Sequence, residues 1–260
     1  MTLYPGCKLN LGLSVLSERK DGFHDIETLL VPYEGMCDRI VMKEAPEFGA
    51  DIDYGDCAER WPVEKDLAVR AFLMLQDEFG LPPVHISLKK EAPVGAGLAS
   101  GSSDAVAALK LTDALFSLRL GEDRLRGYAS RLGSDCAFFV SSEPAIATGK
   151  GDRLEPYPVD LSRYRIKVVV PEGIRVNTAE AYAEVGVHSG EPLREALSRP
   201  VEQWRGHLVN DFEKSVFARY PELGRIKDSL YEEGAVYASM SGSGSAVYGL
   251  FERDEEHMGV

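Results

Sequence analysis

A glycine-rich segment of this chain lies between a strand pattern and a helix pattern, and it limits the folds that the chain can adopt. Val84, Ile86 and Leu88 alternate as in a half-buried strand, and a helical face begins near Ala105. Between them stands Pro93–Ser103, in which glycines let backbone N–H groups converge without obstruction by Cβ atoms. The start of the following helix adds N–H donors with a partial positive charge. This arrangement predicts an anion site suited to phosphate.

Two better-known phosphate motifs do not match this segment. A Walker A loop ends in Gly-Lys-Ser/Thr, and the segment contains no lysine. The dinucleotide fingerprint is GxGxxG, whereas Gly95, Gly97 and Gly101 form GxGxxxG. A flexible connection with a capped helix is the alternative, in which Ser102 and Ser103 cap the helix and do not bind phosphate or magnesium. The position between a strand and a helix favours phosphate binding.

The remaining patterns predict an α+β chain in two unequal halves, with domains at 1–155 and 156–260. A strand is expected over Leu9–Val15, and a helix over Leu67–Phe79 ends at Gly80. The stretch 155–165, rich in proline and polar residues, is typical of a connector. Beyond it the patterns predict a buried strand, three helices and two strands: Ile166–Val170, Thr178–Val185, Leu208–Tyr220, Pro221–Glu233, Ala235–Met240 and Ser245–Phe251.

Charge and cysteine content narrow the class of partner and the compartment. Lysine and arginine number 29 against 42 acidic residues, and the net charge of −13 disfavours nucleic acid and anionic membranes as partners. A small polyanion stays possible, because a local cluster of donors can overrule the global charge. Cys7, Cys37, Cys57 and Cys136 form no CxxC pair, so neither a zinc site nor a disulfide framework is indicated. With no signal peptide or membrane-spanning run visible, we expect a cytoplasmic protein.

Polar residues near the start of the chain have two interpretations. Lys8 and Asn10 alternate with Leu9 and Leu11, so they lie either on a solvated strand face or in a site. Phe23 and His24 follow Asp21-Gly22, and they form either a turn with an aromatic plug or a surface for a flat base. In the second case the ring of Phe23 would stack on the base while the imidazole hydrogen-bonds its edge.

Asp135 is a carboxylate among small and apolar neighbours, which is unusual for a surface residue. It is either the N-cap of the next helix or the partner of a cation, with Lys8 as the candidate and proton removal from a hydroxyl as the role. The run Met240–Ser245 is a glycine-supplied hairpin turn or part of a site, and Asn210–Glu213 is typical of a helix start. The other histidines show no metal-ligand spacing and are treated as ordinary: His85, His188, His207 and His257.

The order of these motifs along the chain resembles that of the GHMP small-molecule kinases. The shared features are the Lys8/Asn10 strand, the Pro93–Ser103 loop, Gly133–Asp135, the Ala147–Gly151 run and the Met240–Ser245 turn. Phe23-His24 after Asp-Gly, together with Asn210–Glu213, favours a branch acting on a cytidine-diphosphate sugar alcohol over mevalonate or homoserine kinases. The resemblance implies an N-terminal domain like ribosomal S5 domain 2 and a ferredoxin-like C-terminal domain.

The resemblance also implies roles for individual residues. Asp135 would be the catalytic base and Lys8 its partner; Asn10, Phe23 and His24 would hold the cytidine substrate. Thr178 and Tyr182 would line the sugar-alcohol side. ATP, with Mg²⁺ whose ligands stay unassigned, would be bound by the loop residues Pro93, Val94, Gly95, Ala96, Gly97, Leu98, Ala99, Ser100, Gly101, Ser102 and Ser103.

The chain departs from the family pattern at two points. Phe23 replaces a common tyrosine, and Ala99-Ser100 stands where the loop usually has glycine. The activity implied is transfer of the γ-phosphoryl group to a hydroxyl in non-mevalonate isoprenoid synthesis. The alternatives are another GHMP kinase, of the mevalonate or homoserine type, a decarboxylase of the same fold, and a non-catalytic nucleotide-binding regulator.

Overall fold

The computed structural model describes residues 1–55 and 60–253, so Cys57 and His257 lie outside the described residues. The strands are β1 Thr2–Leu3, β2 Cys7–Glu18, β3 His24–Tyr33, β4 Arg39–Glu44, β5 Gly49–Asp53, β6 Val84–Lys89, β7 Ala145–Gly149, β8 Arg153–Pro156, β9 Tyr164–Val169, β10 Tyr237–Met240 and β11 Val247–Glu252. The helices are α1 Leu67–Phe79, α2 Ser100–Leu115, α3 Gly121–Leu132, α4 Phe138–Ser141, α5 Thr178–Glu184, α6 Leu193–Leu197, α7 Phe212–Arg219 and α8 Pro221–Glu232. Short 3₁₀ helices span Val63–Lys65, Ser134–Ala137 and Val201–Gln203.

The chain divides into two compact units that do not follow a single cut in the sequence. The first unit comprises Met1–Lys8, Pro32–Val94 and Ala99–Glu143; the second comprises Leu9–Val31, Gly95–Leu98 and Pro144–Val260. The division into family domains at 155/156 stays a prediction. No helix within the described ranges is both long enough and apolar enough to cross a bilayer.

The first unit is a four-stranded sheet in the order β1-β4-β6-β5, with α1 and α2 packed together. β4 and β6 are antiparallel with Val41 opposite Ser87, whereas β5 runs parallel to β6. Helix α1 begins where the side chain of Asp66 accepts the N–H of Ala68 at 2.8 Å, and it ends at Gly80 with φ +62°. The predicted helix Leu67–Phe79 is therefore confirmed.

The second unit contains two sheets, ordered β2-β3-β7-β8 and β10-β11-β9. The helices α5, α7 and α8 contribute to its apolar core, in which Leu13 of β2, Phe212, Leu223 and Met240 are buried. Burial of such side chains contributes about 1.5–3 kcal/mol each. The predicted order of strand, helices and two final strands is confirmed for this part of the chain.

Two predicted elements differ in detail from the structure. The helix predicted over Leu208–Tyr220 begins only at Phe212, because the residues before it pair with β2: Leu13 donates its N–H to Val209 O, and Asp211 donates to Leu13 O, each at 2.9 Å. The strand Ile166–Val170 was predicted to be buried, but β9 is half-buried from Ile166 onward because it lies at a sheet edge.

Candidate functional site

Lys8 and Asp135 interact within the first unit. Lys8 lies in β2 with only 4% of its surface exposed, and Asp135 lies half-buried in the 3₁₀ helix Ser134–Ala137. Burial lowers the pKa of the Lys8 ammonium, and the negative charge of Asp135 opposes that shift. The pair therefore combines a buried cation with a half-buried carboxylate whose charge acts on it.

The first turn of α2 lies beside the segment that carries Asp135. Ser102 hydrogen-bonds the thiol of Cys136, and burial raises the pKa of that thiol to about 11. A Cβ atom added to Gly101 would meet open space, so the backbone there can be approached closely. A helix start that is open on one side can direct its N–H groups at an anion.

Ala99 precedes α2 in the left-handed conformation, with φ +56° and ψ +33°. Its carbonyl accepts the N–H groups of Ser102 and Ser103, both at 3.1 Å. Glycine adopts this conformation readily, whereas an L residue does so at a cost of roughly 1–2 kcal/mol. The departure at Ala99 from the usual glycine is thus accommodated by strain in the backbone.

A buried ionic cluster lies at the same helix start, and no local sequence pattern predicts it. The ammonium of Lys90 bonds Asp38 and Asp104 and lies 3.5 Å from the hydroxyl of Ser100. Asp38 also accepts the N–H groups of residues 91 and 92, at 2.6 and 2.8 Å. Burial raises the pKa of Asp104 well above its ordinary range, although Lys90 opposes the shift. Lys90 itself has a raised pKa, because its two carboxylate partners outweigh the effect of burial.

Within the second unit, the Met240–Ser245 turn holds the middle of the glycine-rich loop. Ser241 donates its hydroxyl to Gly97 O at 3.0 Å, and Ala246 donates its N–H to Ala96 O at 3.0 Å. Gly97 has φ +79°, and a Cβ atom there would lie 2.1 Å from Ser241 O. The turn is therefore a hairpin connection, as one interpretation predicted, that also fixes the shape of Gly95–Leu98.

Asn10 is buried in a polar network in the second unit. Its side-chain amide donates to Thr28 Oγ1 at 3.1 Å, and its N–H donates to Ser241 Oγ at 3.2 Å. The carbonyl of Asn10 accepts the hydroxyl of Tyr248 at 2.8 Å. Since both Lys8 and Asn10 are only 4% exposed, the solvated strand face considered above is wrong.

The aromatic residues predicted to hold the substrate do not share one environment. The rings of His24 and Tyr182 stack with centroids 4.8 Å apart, and Tyr182 meets the edge of Phe212 at 4.8 Å. Phe23 is 54% exposed, and the ammonium of Lys150 lies 5.3 Å from its ring centroid. The interpretation of Phe23 as a buried aromatic plug is therefore wrong.

Three further predictions concern Thr178, Asp135 and the segment Asn210–Glu213. Thr178, the first residue of α5, has its hydroxyl 3.0 Å from that of Ser243, which connects it to the Met240–Ser245 turn. Asp135 is not an N-cap, because the 3₁₀ helix that contains it begins after Gly133. Asn210–Glu213 does begin a helix, where the side chain of Asn210 accepts the N–H of Phe212 at 3.0 Å.

Three residues whose contacts shape these units were missed from the sequence: Lys90, His188 and Ser241. Ser241 lay in a motif already noted, so its small polar side chain beside glycines was an available signal. His188 was treated as ordinary, yet its ring contacts Asp211 of the Asn-Asp-Phe-Glu motif at 2.9 Å. No local pattern marks Lys90, because both of its acidic partners are distant in sequence.

Comparison with known proteins identifies the family. The family model for the GHMP kinases N terminal domain matches residues 66–143, and that for the GHMP kinases C terminal matches residues 188–257. A protein of Bacteroides thetaiotaomicron named 4-diphosphocytidyl-2-C-methyl-D-erythritol kinase is 46% identical over 97% of this chain and 92% of its own length. One of the same name from Bacteroides fragilis is 40% identical over 98% of this chain and 94% of its own length.

Solved structures agree with the sequence relatives. A crystal structure of 4-(cytidine 5′-diphospho)-2C-methyl-D-erythritol kinase has a TM-score of 0.80 and 32% identity, covering 96% of this chain and 90% of its own. Homoserine kinase from Cytophaga hutchinsonii shares the fold alone, with a TM-score of 0.70 at 16% identity over 96% of this chain and 86% of its own. This chain therefore belongs to the GHMP kinases and, within them, to the 4-diphosphocytidyl-2-C-methyl-D-erythritol kinase family.

Proposed function

We propose that this chain transfers the γ-phosphoryl group of ATP to the 2-hydroxyl of 4-diphosphocytidyl-2-C-methyl-D-erythritol, giving the 2-phosphate and ADP in non-mevalonate isoprenoid biosynthesis. The observation that carries the proposal is the Lys8–Asp135 pair in the same unit as the start of α2. The relatives named for this activity, identical at 40–46% over nearly the whole chain, supply the substrate.

The reaction needs a base, a cation and accurate positioning. Asp135 accepts the proton of the substrate hydroxyl. The hydroxyl oxygen forms a bond to the γ-phosphorus of ATP, while the bond between that phosphorus and the bridging oxygen breaks and ADP leaves. Lys8 is the cation close to this carboxylate, and it offsets negative charge at the reacting groups. General-base help of this kind typically contributes ~10²–10⁴-fold. The remaining acceleration comes from positioning and charge neutralisation, which dominate phosphoryl transfer.

The residues at the start of α2 fit a polyphosphate. Gly101 faces open space at the position that a Cβ atom would occupy, and the helix start supplies N–H donors. Within residues 1–55 and 60–253, no group of three or more His, Cys, Asp or Glu side chains is arranged to hold a metal. Mg²⁺ commonly uses substrate phosphates with one or two protein ligands, and when bound it would neutralise phosphate charge.

The cytidine side of the substrate is assigned to residues of the second unit. In this proposal Phe23 stacks on the cytosine and His24 hydrogen-bonds the edge of that base. Asn10 also holds the cytidine substrate. Thr178 and Tyr182 contact the methylerythritol group. Support comes from the exposure of Phe23 and from the ring stack of His24 on Tyr182, which fixes the direction of the imidazole.

A cytoplasmic location completes the proposal. Cys7, Cys37 and Cys136 are free thiols, and two of them are buried. Thiols persist in a reducing compartment, which is where ATP-dependent synthesis of small molecules also takes place.

The experiment that tests the function measures ADP release with three acceptors: 4-diphosphocytidyl-2-C-methyl-D-erythritol, mevalonate and homoserine. Substrate-dependent ADP release with the first alone is expected, and preference for either other acceptor would replace the proposal. Asp135→Asn should lose nearly all turnover while ATP still binds, with Asp160→Asn, an exposed acid in the connector, as the matched control. Wild-type activity in Asp135→Asn would exclude Asp135 as the base. ATP binding without ADP release for any acceptor would indicate a regulator.

A further inference from the structure

The ring of His188 is surrounded by hydrogen-bond acceptors on both of its nitrogen atoms. Nδ1 lies 2.9 and 3.0 Å from the two carboxylate oxygens of Asp211, and Nε2 lies 3.0 Å from the carbonyl oxygen of Glu191. A carbonyl can only accept a hydrogen bond, and so can an ionised carboxylate. Both ring nitrogens therefore need a proton, which makes the imidazolium the form that satisfies this geometry.

The charges facing His188 support the same protonation state. Burial opposes the cation, but the hydrogen bonds to Asp211 and to Glu191 O and the charges of Asp211 and Glu27 outweigh it, so the pKa of His188 is raised. Glu27, on β3, is also bound by Arg194 at 3.2 Å. The carboxylate of Glu191 contacts Arg199 and His207 instead. Arg199 Nη2 lies 2.8 Å from Oε1 of Glu191, and His207 Nδ1 lies 2.7 Å from Oε2.

His188 and Asp211 fasten two parts of the chain to β2. His188 donates its N–H to Val15 O at 2.7 Å, and the carboxylate of Asp211 accepts the N–H of Val15 at 2.8 Å. Asp211 also donates its own N–H to Leu13 O at 2.9 Å. The segment after α5 and the start of α7 thus meet at one point on the strand, joined by the ion pair.

The segment after α5 and the start of α7 adjoin residues that we propose to contact the substrate. His188 follows the end of α5, the helix of Thr178 and Tyr182, by four residues. Phe212, next to Asp211, is the first residue of α7 and packs its ring against that of Tyr182. Loss of the His188–Asp211 ion pair would weaken the attachment of both α5 and Phe212, which together hold Tyr182. Lys8 and Asp135 belong to the other unit.

We propose that His188 is a positioning residue whose imidazolium, locked between Asp211 and the Glu191 carbonyl, holds α5 and Tyr182 for the cytidine substrate and weakens that hold when it loses its proton. The kinetic part of this inference rests on the proposed function. The protonation state of His188 does not, and it can be measured with no substrate present.

The direction of the pH effect follows from the raised pKa. Below the ordinary histidine value of 6.5 the ring is charged in folded and unfolded chains alike, so the stabilisation by the ion pair is complete. As the pH rises through the higher pKa of the folded state, this stabilisation is lost. Substrate binding should therefore weaken on the alkaline side of neutrality.

The first test is a ¹H–¹⁵N correlation spectrum of the histidine rings in the full chain, recorded from about pH 6 to about pH 9, so that it covers the ordinary histidine pKa of 6.5 and the region above it. One ring should keep both nitrogens protonated above pH ~7, where an ordinary histidine is neutral, and its signals should vanish in His188→Gln. The control is His207→Gln, which removes a more exposed histidine that also contacts the 185–192 segment through Glu191. A neutral His188 at pH ~7 would overturn the inference.

The second test measures KM for both substrates across the same pH range. In the wild type, KM for the cytidine substrate should rise by roughly tenfold with a midpoint that matches the ring titration, while KM for ATP stays constant. His188→Gln should show the high KM at every pH, and His207→Gln should follow the wild type. The positioning role would be contradicted if the wild-type KM for the cytidine substrate did not change as His188 titrates, or if KM for ATP changed in parallel. Both outcomes are measured on the wild type, so they hold even if His188→Gln fails to fold. Absence of ADP release would defeat the proposed function alone, since the spectrum would still report on His188.

Discussion

At the scale of single residues, Gly97 and Gly101 are glycines for different reasons. Gly97 has φ +79° and faces Ser241 O so closely that a Cβ atom would lie 2.1 Å away. Gly101 has a helical conformation within α2 and faces open space. The first glycine is required by the protein itself, whereas the second leaves room for something that the protein binds.

These two positions give a matched pair of substitutions. Gly97→Ala should lower the free energy of unfolding by more than about 2 kcal/mol, because it combines a backbone clash with an unfavourable φ. Gly101→Ala should keep or raise stability by ~0.5–1 kcal/mol, as alanine does in helices, yet raise KM for ATP by roughly tenfold or more. Urea unfolding and steady-state kinetics measure both. An unchanged KM for ATP in Gly101→Ala would show that no phosphate approaches this residue.

Phe23 provides a second prediction at this scale. Its ring is 54% exposed, so Phe23→Ala should change the free energy of unfolding little while weakening binding of the cytidine substrate. Stacking of a base on an aromatic ring contributes ~1–3 kcal/mol, or roughly a fivefold to 150-fold change in affinity. Calorimetric titration with each ligand makes the measurement, with Tyr4→Ala, another exposed aromatic, as the control. Loss of ATP affinity with unchanged cytidine binding would contradict the stacking role.

At the scale of secondary structure elements, α2 is anchored by charges as well as by apolar packing. Lys90, at the end of β6, bonds Asp104 within α2 and Asp38 before β4, and all three side chains are at most 2% exposed. Asp38 accepts two backbone N–H groups as well as the ammonium, whereas Oδ1 of Asp104 is buried without a hydrogen-bond partner. Because of this asymmetry and of the raised pKa of Asp104, we expect the cluster to tolerate a neutral group at position 104 better than at position 38.

The asymmetry predicts unequal effects of substitution in the cluster. Asp104→Asn should change the free energy of unfolding by less than about 1 kcal/mol, because an amide imitates the neutral acid. Lys90→Met should cost about 3–5 kcal/mol, because it leaves Asp38 buried without its cation. Urea unfolding of the two variants and the wild type compares them directly. Equal losses in both variants would mean that Asp104 is ionised in the folded chain.

At the scale of the whole molecule, the net charge of −13 and the ligands have the same sign. The charge disfavours long polyanions as partners, but alone it would disfavour ATP as well. In the proposed site, the start of α2 and Lys8 are the local sources of positive charge that would attract the ligand. The buried ammonium of Lys8 is screened less by salt than the charges of the acidic surface are.

Ionic strength should therefore affect association in an unusual direction. The association rate constant of ATP should rise severalfold as salt increases from about 10 to about 150 mM, because the screening length falls from ~30 to ~8 Å and surface repulsion weakens. Stopped-flow mixing measures the association rate constant at each salt concentration. Uncharged adenosine is the control ligand, and its association rate constant should stay the same. A rate constant for ATP that falls with salt would show that local cations dominate the approach of the ligand.

Some of this architecture was accessible from local patterns. The periodicity of Leu67–Phe79 and the glycine at position 80 predicted α1 correctly, because helix formation and termination depend on residues within a few positions. Strands β3 and β7 were missed. These two strands are defined by pairing with each other in a sheet, where Thr28 lies opposite Ala147, more than a hundred positions away in the sequence.

The site divides in the same way. The amino-acid sequence by itself determined the kinase family, the order of its motifs and the glycine-rich loop before a helix, since these are properties of neighbouring residues. The tertiary structure alone shows that Lys90 joins Asp38 to Asp104, that Ser241 shapes Gly97, and that the ring of His188 contacts the carboxylate of Asp211. The physical reason is that the strength and protonation of such contacts depend on burial and on partners distant in sequence, and folding creates both.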